Sequence, residues 1–225
     1  MKILTNNNIK HYEALWTSRV IDRMNTSVDK HKLTYLIPLS ITLLSACAQA
    51  PDKQPVSTAQ THTIESNSIS TGDREKYKSG LIALNNNEDA TAEGIFNEFL
   101  QDTPELAGPY TNLALIHFKR QEYDQSLELV NKALIRNPEQ AQAYQLRAQI
   151  FVAKRKINEA KKDYIKAIEL DPDYINAHYN LALLYDIYLQ EITLAINHYE
   201  IYLSLIKEPD ETTQEWVNHL KGSLQ

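Results

Sequence analysis

The chain has 225 residues, 43% of them hydrophobic and 23% charged, and carries a formal net charge of −6 at pH 7. This composition suits one globular domain with an unstructured extension. An acidic protein gains no counterion-release energy from a polyanion, so nucleic acid is disfavoured as a partner. A single cysteine cannot form an internal disulfide, and cysteine usage therefore does not report the redox compartment.

An apolar run leads directly to that cysteine. Residues 33–44 (LTYLIPLSITLL) are apolar, the basic flank DKHK precedes them, and the motif LSAC ends at Cys47. As a helix, this run rises about 18 Å, short of the roughly 30 Å hydrocarbon core of a bilayer, so a signal peptide explains it better than a transmembrane helix. The motif resembles the lipobox of bacterial lipoproteins. The resemblance implies cleavage before Cys47 and acylation of that residue, for example with palmitate.

The signal region, residues 1–46, is longer at its start than a signal peptide needs. From Met24 onward the charged, apolar and small-residue regions have the lengths that are ordinary for a signal peptide. We therefore expect translation to begin at Met24. Ala48 and Gln49 follow the cysteine with no aspartate at the second position, which resembles proteobacterial lipoproteins sent to the outer membrane. The implied location is the bacterial outer membrane, with a lipid anchor and a domain that faces the periplasm.

The segment from the cysteine to residue 72 is predicted to be a flexible linker. Residues 48–71 are rich in Ser, Thr, Gln and Pro and contain almost no large apolar side chains. Such a segment cannot bury enough surface to offset the entropy lost on ordering. We therefore assign residues 47–72 to a lipidated cysteine and a tether.

Beyond residue 72 the chain repeats. Pro104, Pro138 and Pro172 are spaced by 34 residues, and aligning the sequence on them stacks aromatic and small residues in columns. Spacings of 3, 4 and 7 place each set on one stripe of a helix, and proline between units ends one helix and sets the turn to the next. The columns resemble the tetratricopeptide repeat (TPR), which implies an all-α solenoid of helix–turn–helix units. The matching columns are Tyr110, Tyr144 and His178; Ala114, Ala148 and Ala182; His117, Phe151 and Tyr185; and Ala133 and Ala167.

Four units and a capping helix are expected. They are residues 73–106, which are divergent, then 107–140, 141–174 and 175–209, followed by the cap over residues 210–225. In the fourth unit the second helix falls into register only with one extra residue, so the turn near YDIYLQEI is predicted to be longer by one. The cap is predicted to bury Trp216, Val217, Leu220 and Leu224, since a solenoid needs a covered end.

No catalytic motif appears in the chain. It has five glycines and lacks a glycine-rich phosphate loop, HExxH and GxSxG, so we predict no enzymatic activity, no cofactor and no metal site. His117 and His178 occupy aromatic positions of the repeat and are predicted to be core residues. His178 and His198 do not have a metal-ligand spacing.

The first helices of TPR units line a concave groove, and this resemblance supplies the candidate binding residues. Asn112 and Asn180 match a position that bonds a peptide backbone or terminus in carboxylate-clamp members. The basic residues of that clamp are missing, with Gln145 and Leu146 in their place, so an acidic C-terminus is disfavoured as a ligand. The candidate groove residues are Thr111, Asn112, Leu115, Lys119, Gln145, Gln149, Asn176, Tyr179, Asn180 and Leu183.

These features favour a membrane-anchored adaptor that binds a peptide segment of a partner protein. The resemblance to envelope TPR lipoproteins implies a role in pilus or secretion assembly, or as an accessory to murein hydrolases or proteases. A non-lipidated cytosolic scaffold is the alternative if translation begins at Met1. Pairing of two copies through the terminal repeats, giving a homodimer, is a further possibility that the sequence leaves open.

Overall fold

The computed structural model describes residues 70–224, and all regular structure within them is helical. The predictions for the signal region, for Cys47 and for nearly all of the linker lie outside the described residues. The helices are α1 (Thr71–Asn85), α2 (Asp89–Asp102), α3 (Ala107–Lys119), α4 (Tyr123–Arg136), α5 (Ala141–Ala153), α6 (Ile157–Leu170), α7 (Ile175–Leu183), α8 (Ile192–Leu205) and α9 (Glu211–Gly222).

Each helix packs mainly on its neighbours in the chain. The closest pairs are α1 with α2, α3 with α4, α5 with α6 and α7 with α8, and α9 lies on α8. Contacts limited to adjacent units define a solenoid, whose stability is a sum over units and the interfaces between them. No helix in the described part of the chain is both long and apolar enough to cross a bilayer.

Within each pair, the turn between the helices is built in the same way. Asn87, Gln121, Arg155 and Gln190 all have positive φ, between 56° and 64°. The first three lie 34 residues apart, and the fourth follows after 35. One residue in the left-handed conformation reverses the chain in each unit. The backbone conformation therefore repeats with the same period as the side-chain columns.

The extra residue of the fourth unit lies in the helix and not in the turn. After α7 the chain continues as a π-helical segment, Leu184–Leu189, and the Gln190 N–H bonds to the Tyr185 carbonyl. The prediction of a longer turn was therefore wrong. A π-helical turn takes up one additional residue while keeping the backbone hydrogen-bonded, which leaves the reversal at Gln190 unchanged.

Small residues let the paired helices approach closely. Ala114, Ala148 and Ala182 of the predicted small column are all fully buried. Ser126 is buried too, and its hydroxyl donates to the Ala114 carbonyl at 2.7 Å. In the first unit Gly80 has this role, because a Cβ there would lie 2.7 Å from the Phe96 ring.

The C-terminal helix covers the last unit. Trp216, Val217 and Leu220 are buried against the stack, whereas Leu224 is 56% exposed because the helix ends before it at Gly222. The helix begins at a cap in which the Asp210 carboxylate accepts from the Thr213 N–H at 3.0 Å. The prediction that Leu224 shares the buried face was wrong.

Candidate protein-binding site

The ten candidate groove residues are largely withdrawn from solvent. None of them falls in the exposed class. The partly buried ones are Asn112, Leu115, Lys119, Asn176 and Tyr179, and the buried ones are Thr111, Gln145, Gln149, Asn180 and Leu183. A ligand on this face would therefore meet the first set and not the second, unless side chains moved.

Toward the N-terminal end, the candidate side chains are engaged with the preceding or following unit. Asn112 Nδ2 donates to the Tyr77 hydroxyl at 3.0 Å, and Thr111 Oγ1 donates to Gln140 Oε1 at 3.0 Å. Lys119 forms an ion pair with Asp89. Burial raises the pKa of Tyr77, an effect that the hydrogen bond from Asn112 opposes, so this hydroxyl is neutral. These polar groups hold units together and offer little to a ligand.

In the middle of the stack, the Arg147 guanidinium is bound by side chains of the same chain. Arg147 donates from Nε and Nη2 to the two carboxylate oxygens of Asp163, at 2.6 and 2.9 Å, and from Nη1 to Asn131 at 2.9 Å. Gln145 accepts from the Tyr174 hydroxyl at 2.6 Å. The guanidinium is thus committed to the pair between α5 and α6, which leaves this stretch neutral toward a ligand.

Toward the C-terminal end one amide has no partner. Asn180 is 4% exposed, and within the described residues its Nδ2 makes no hydrogen bond. Asn112, its equivalent two units earlier, donates to Tyr77. The residue that corresponds to Tyr77 for Asn180 is Gln145, which is engaged with Tyr174 instead. A buried amide N–H without an acceptor is costly, so Asn180 marks a place where a ligand carbonyl would be stabilised.

The structure brings Tyr179 and Trp216, which the sequence analysis singled out, together with residues that it did not. We call this group the acid–aromatic cluster: Asp186, Tyr179, Tyr199, Tyr202 and Trp216. Trp216 Nε1 donates to the buried Asp186 carboxylate at 2.8 Å. The Tyr179 ring lies 4.8 Å from that of Tyr202 and 5.9 Å from that of Tyr199. Asp186 belongs to the π-helical segment, where the register of the repeat shifts by one residue, and comparison between units did not single it out.

Two histidines pair beside the cluster. His178 Nε2 lies 2.9 Å from the Pro172 carbonyl, so it carries the proton and donates. His178 Nδ1 then accepts from Nδ1–H of His198 at 3.0 Å. Burial, and secondly the neighbouring His178, lower the pKa of His198 from 6.5 to about 4. His198 is therefore neutral at pH 7. The part of the chain that the structure describes holds no group of three or more metal-ligating side chains.

Comparison with known proteins agrees with this architecture. Residues 148–186 match the TPR repeat family. A thermophilic TPR protein of Thermus thermophilus superposes with a TM-score of 0.56 at 19% identity, covering 68% of this chain and 82% of that one. The described residues therefore have the fold of a TPR protein, and the prediction of an all-α TPR solenoid is confirmed.

Two curated relatives share the repeat over short stretches. The inactive TPR repeat-containing thioredoxin TTL3 of Arabidopsis thaliana is 34% identical over 68 residues, which is 30% of this chain and 10% of that protein. The Hsp70-Hsp90 organizing protein of Triticum aestivum is 27% identical over 122 residues, 54% of this chain and 20% of that protein. The chain thus spans a tenth to a fifth of the length of these relatives.

Proposed function

We propose that this protein is a non-catalytic adaptor whose repeat domain holds a peptide segment of a partner protein. The observation that carries the proposal is the buried Asn180 amide, which has no acceptor among the described residues. A main-chain carbonyl of a bound segment would satisfy it. The similarity to an Hsp70-Hsp90 organizing protein, whose name describes the organisation of other proteins, supports a role in binding protein partners.

The surroundings of Asn180 favour an extended or helical segment bound through its main chain. Amides, tyrosines and leucines line the candidate groove, and the nearby basic groups Lys119 and Arg147 are held by Asp89 and Asp163. A segment that relies on a terminal carboxylate would find no cation to meet it among these groove residues. Hydrogen bonds from amides to a peptide backbone, together with pockets for apolar side chains, fit this lining.

The proposed setting is the bacterial envelope, with the domain tethered to the outer membrane through a lipid on Cys47. The apolar run and the LSAC motif support this part of the proposal. One diacylated cysteine is apolar enough to anchor a protein stably, since each buried methylene contributes about 0.8 kcal/mol. Assembly of pili or secretion machinery is the role we favour. An accessory role with murein hydrolases or proteases is the alternative.

Site-specific photo-crosslinking tests the groove. A photoreactive residue at Tyr179, which is partly exposed, should give a defined adduct with a partner protein in cells. The same residue at Lys162, which is exposed on α6, is the matched control. Equal adducts from both positions, or none from position 179, would contradict the proposal. An adduct of twice the chain's own mass would identify a second copy as the partner.

The anchor has a separate test. Growth with a labelled fatty acid should give a labelled protein, and Cys47→Ala should lose the label while the repeat domain keeps its helical circular dichroism spectrum. Retention of the label in Cys47→Ala would place the lipid elsewhere. Absence of label in the unaltered chain would favour a cytosolic scaffold.

A further inference from the structure

The third unit, α5 and α6, carries a group of cations on its surface. Its turn and the first part of α6 contain Arg155, Lys156, Lys161 and Lys162, which we call the basic patch. Arg155, Lys156 and Lys162 are exposed, and Lys161 is partly exposed. These four cations within eight residues oppose the net charge of the whole chain, which is −6.

Neighbouring side chains do not neutralise the basic patch. None of its four cations forms an ion pair within residues 70–224. The nearby Asp124 carboxylate accepts from Lys154, and this bond, with a smaller effect of Lys156, lowers the pKa of Asp124. Glu159 is the one acidic residue between Lys156 and Lys162. The patch therefore keeps a net positive charge that faces solvent.

Comparison of the units shows that the fold does not require these cations. The N-cap of the second helix is glutamate in the other three units, at Glu88, Glu122 and Glu191, and it is Lys156 in the third. A helix N-terminus favours negative charge, so Lys156 lacks a stabilising interaction that the other units have. The residues equivalent to the other three cations are also not basic: Asn87, Glu93 and Gly94; Gln121, Leu127 and Glu128; and Gln190, Ile196 and Asn197. The cations thus belong to this unit and not to the repeat.

An exposed apolar side chain lies on the same face of α6. Ile165 is 37% exposed and follows Lys161 and Lys162 by four and three residues, a spacing that makes side chains neighbours on a helix surface. Basic residues around an apolar one are typical of surfaces that contact anionic membranes. The groove candidates lie on the first helices α3, α5 and α7, so contact through this face of α6 does not occupy them.

We propose that the basic patch binds the headgroups of anionic lipids, an inference that rests on the proposed tether to a membrane. The four cations pair with headgroup phosphates, and Ile165 contacts the apolar boundary beneath them. Each basic residue contributes only modestly to such binding. The predicted linker, residues 48–71, supplies the rest, because it keeps the domain within roughly 25–30 Å of the bilayer. An acidic protein segment would meet the same charges without this gain, so the lipid is the favoured ligand.

A dye placed beside the patch tests the contact on the full chain. Cys47→Ala removes the only cysteine and with it the lipid, so Ile165→Cys then gives a single site for an environment-sensitive dye. We expect its emission to shift to shorter wavelength with vesicles of phosphatidylcholine and about 30% phosphatidylglycerol, but not with phosphatidylcholine alone. The control is a dye at Ile82→Cys, since Ile82 is 52% exposed on α1, and it should not shift. Because each dye reports its own surroundings, attachment through the apolar run 33–44 does not produce this difference.

Two double variants separate the patch from the overall charge. Lys161→Gln with Lys162→Gln should weaken the apparent affinity for the anionic vesicles about tenfold. Lys78→Gln with Lys207→Gln removes the same charge from exposed positions outside the patch and should leave the affinity unchanged. Equal shifts at the two dye positions, or equal affinities of the two double variants, would overturn the lipid contact.

The remaining outcome concerns a different ligand. A shift of the dye at position 165 with a glutamate-rich peptide pool, and none with anionic vesicles, would assign the patch to an acidic protein segment and overturn the lipid contact as well. The assay needs neither an acylated cysteine nor a groove ligand. Its failure is therefore distinguishable from failure of the fatty-acid labelling and of the crosslinking from the groove.

Discussion

The three regular units, α1 to α6, differ from the last unit, which consists of α7, the π-helical segment and α8. From α1 to α6 the left-handed turn residues keep a strict 34-residue spacing, and buried polar side chains such as Gln145 and Asp163 make hydrogen bonds. In the last unit one residue more is taken up by the π-helical segment, and Asp186, His178 and Asn180 are buried. One inserted residue is thus accommodated by the helix without a break in the stack.

This difference has an energetic consequence. Apolar packing is non-directional and survives small shifts, whereas a buried polar network stabilises only when every member has a partner. In the last unit the buried Asn180 Nδ2 makes no hydrogen bond within the described residues. We expect the regular units to act as a scaffold and the last unit to respond to ligands and pH.

The largest expected effect comes from removing the anchor of the cap. Trp216→Ala deletes a buried indole and its hydrogen bond to Asp186, and should lower the free energy of unfolding by about 3–5 kcal/mol. Because each unit packs only on the units next to it, the protection of amides from hydrogen exchange should fall first in α8 and α9. Phe96→Ala, at the other end, should cost a similar amount but expose α1 and α2 first. Uniform loss of protection in both variants would show that the two ends are not separable.

Breaking the ion pair between Arg147 and Asp163 should lower the free energy of unfolding by a smaller amount. Asp163→Asn removes the charge that Arg147 meets through two hydrogen bonds, and should cost about 2 kcal/mol, less than a fully buried pair because Arg147 is partly exposed. Urea unfolding measures it. Glu200→Gln, which breaks the exposed pair with Lys221, is the control and should change stability little. A control effect as large as that of Asp163→Asn would mean that burial does not set the value of these pairs.

The histidine pair makes the last unit sensitive to acid. The pKa of His198 is about 4 in the folded chain and near 6.5 when unfolded, so the unfolded chain binds the proton first as pH falls. The stability contributed by neutral His198 is full above pH 6.5 and is lost between pH 6.5 and 4. Screening at this half-buried site limits the loss to about 1–2 kcal/mol.

Urea unfolding at several pH values measures this slope. His198→Gln removes the titrating group and keeps an amide that can donate to His178, so the difference in stability between the two chains should shrink steadily from about pH 7.5 to about pH 4.5. A constant difference over that range would assign the acid sensitivity to other groups.

How far the sequence predicts this molecule depends on the part considered. The 34-residue spacing and its resemblance to the TPR predict the helical solenoid, because small residues at helix contacts and helix-breaking prolines act locally. The position of the extra residue could not be read in the same way. A longer turn and a π-helical segment give the same shift in register, and only the backbone hydrogen bonds distinguish them.

The site was less predictable than the fold. The groove candidates were taken from their positions in the unit, but position alone does not show which amide is already bonded: Asn112 donates to Tyr77, while Asn180 has no acceptor among the described residues. That difference depends on a residue 35 positions earlier, Tyr77 in one case and Gln145 in the other. Whether these candidates contact a partner stays a prediction.

The smallest effect tests whether the turns really are equivalent. Gln121 and Gln190 both adopt the left-handed conformation, which asparagine tolerates better than glutamine. Gln121→Asn and Gln190→Asn should therefore each raise the free energy of unfolding by about 0.5 kcal/mol, measured by thermal and urea unfolding. Equal gains would mean that the π-helical segment carries the whole adjustment of the last unit. A gain confined to Gln121→Asn would mean that the turn at Gln190 is held by its neighbours, and the insertion would then have altered the reversal as well as the helix.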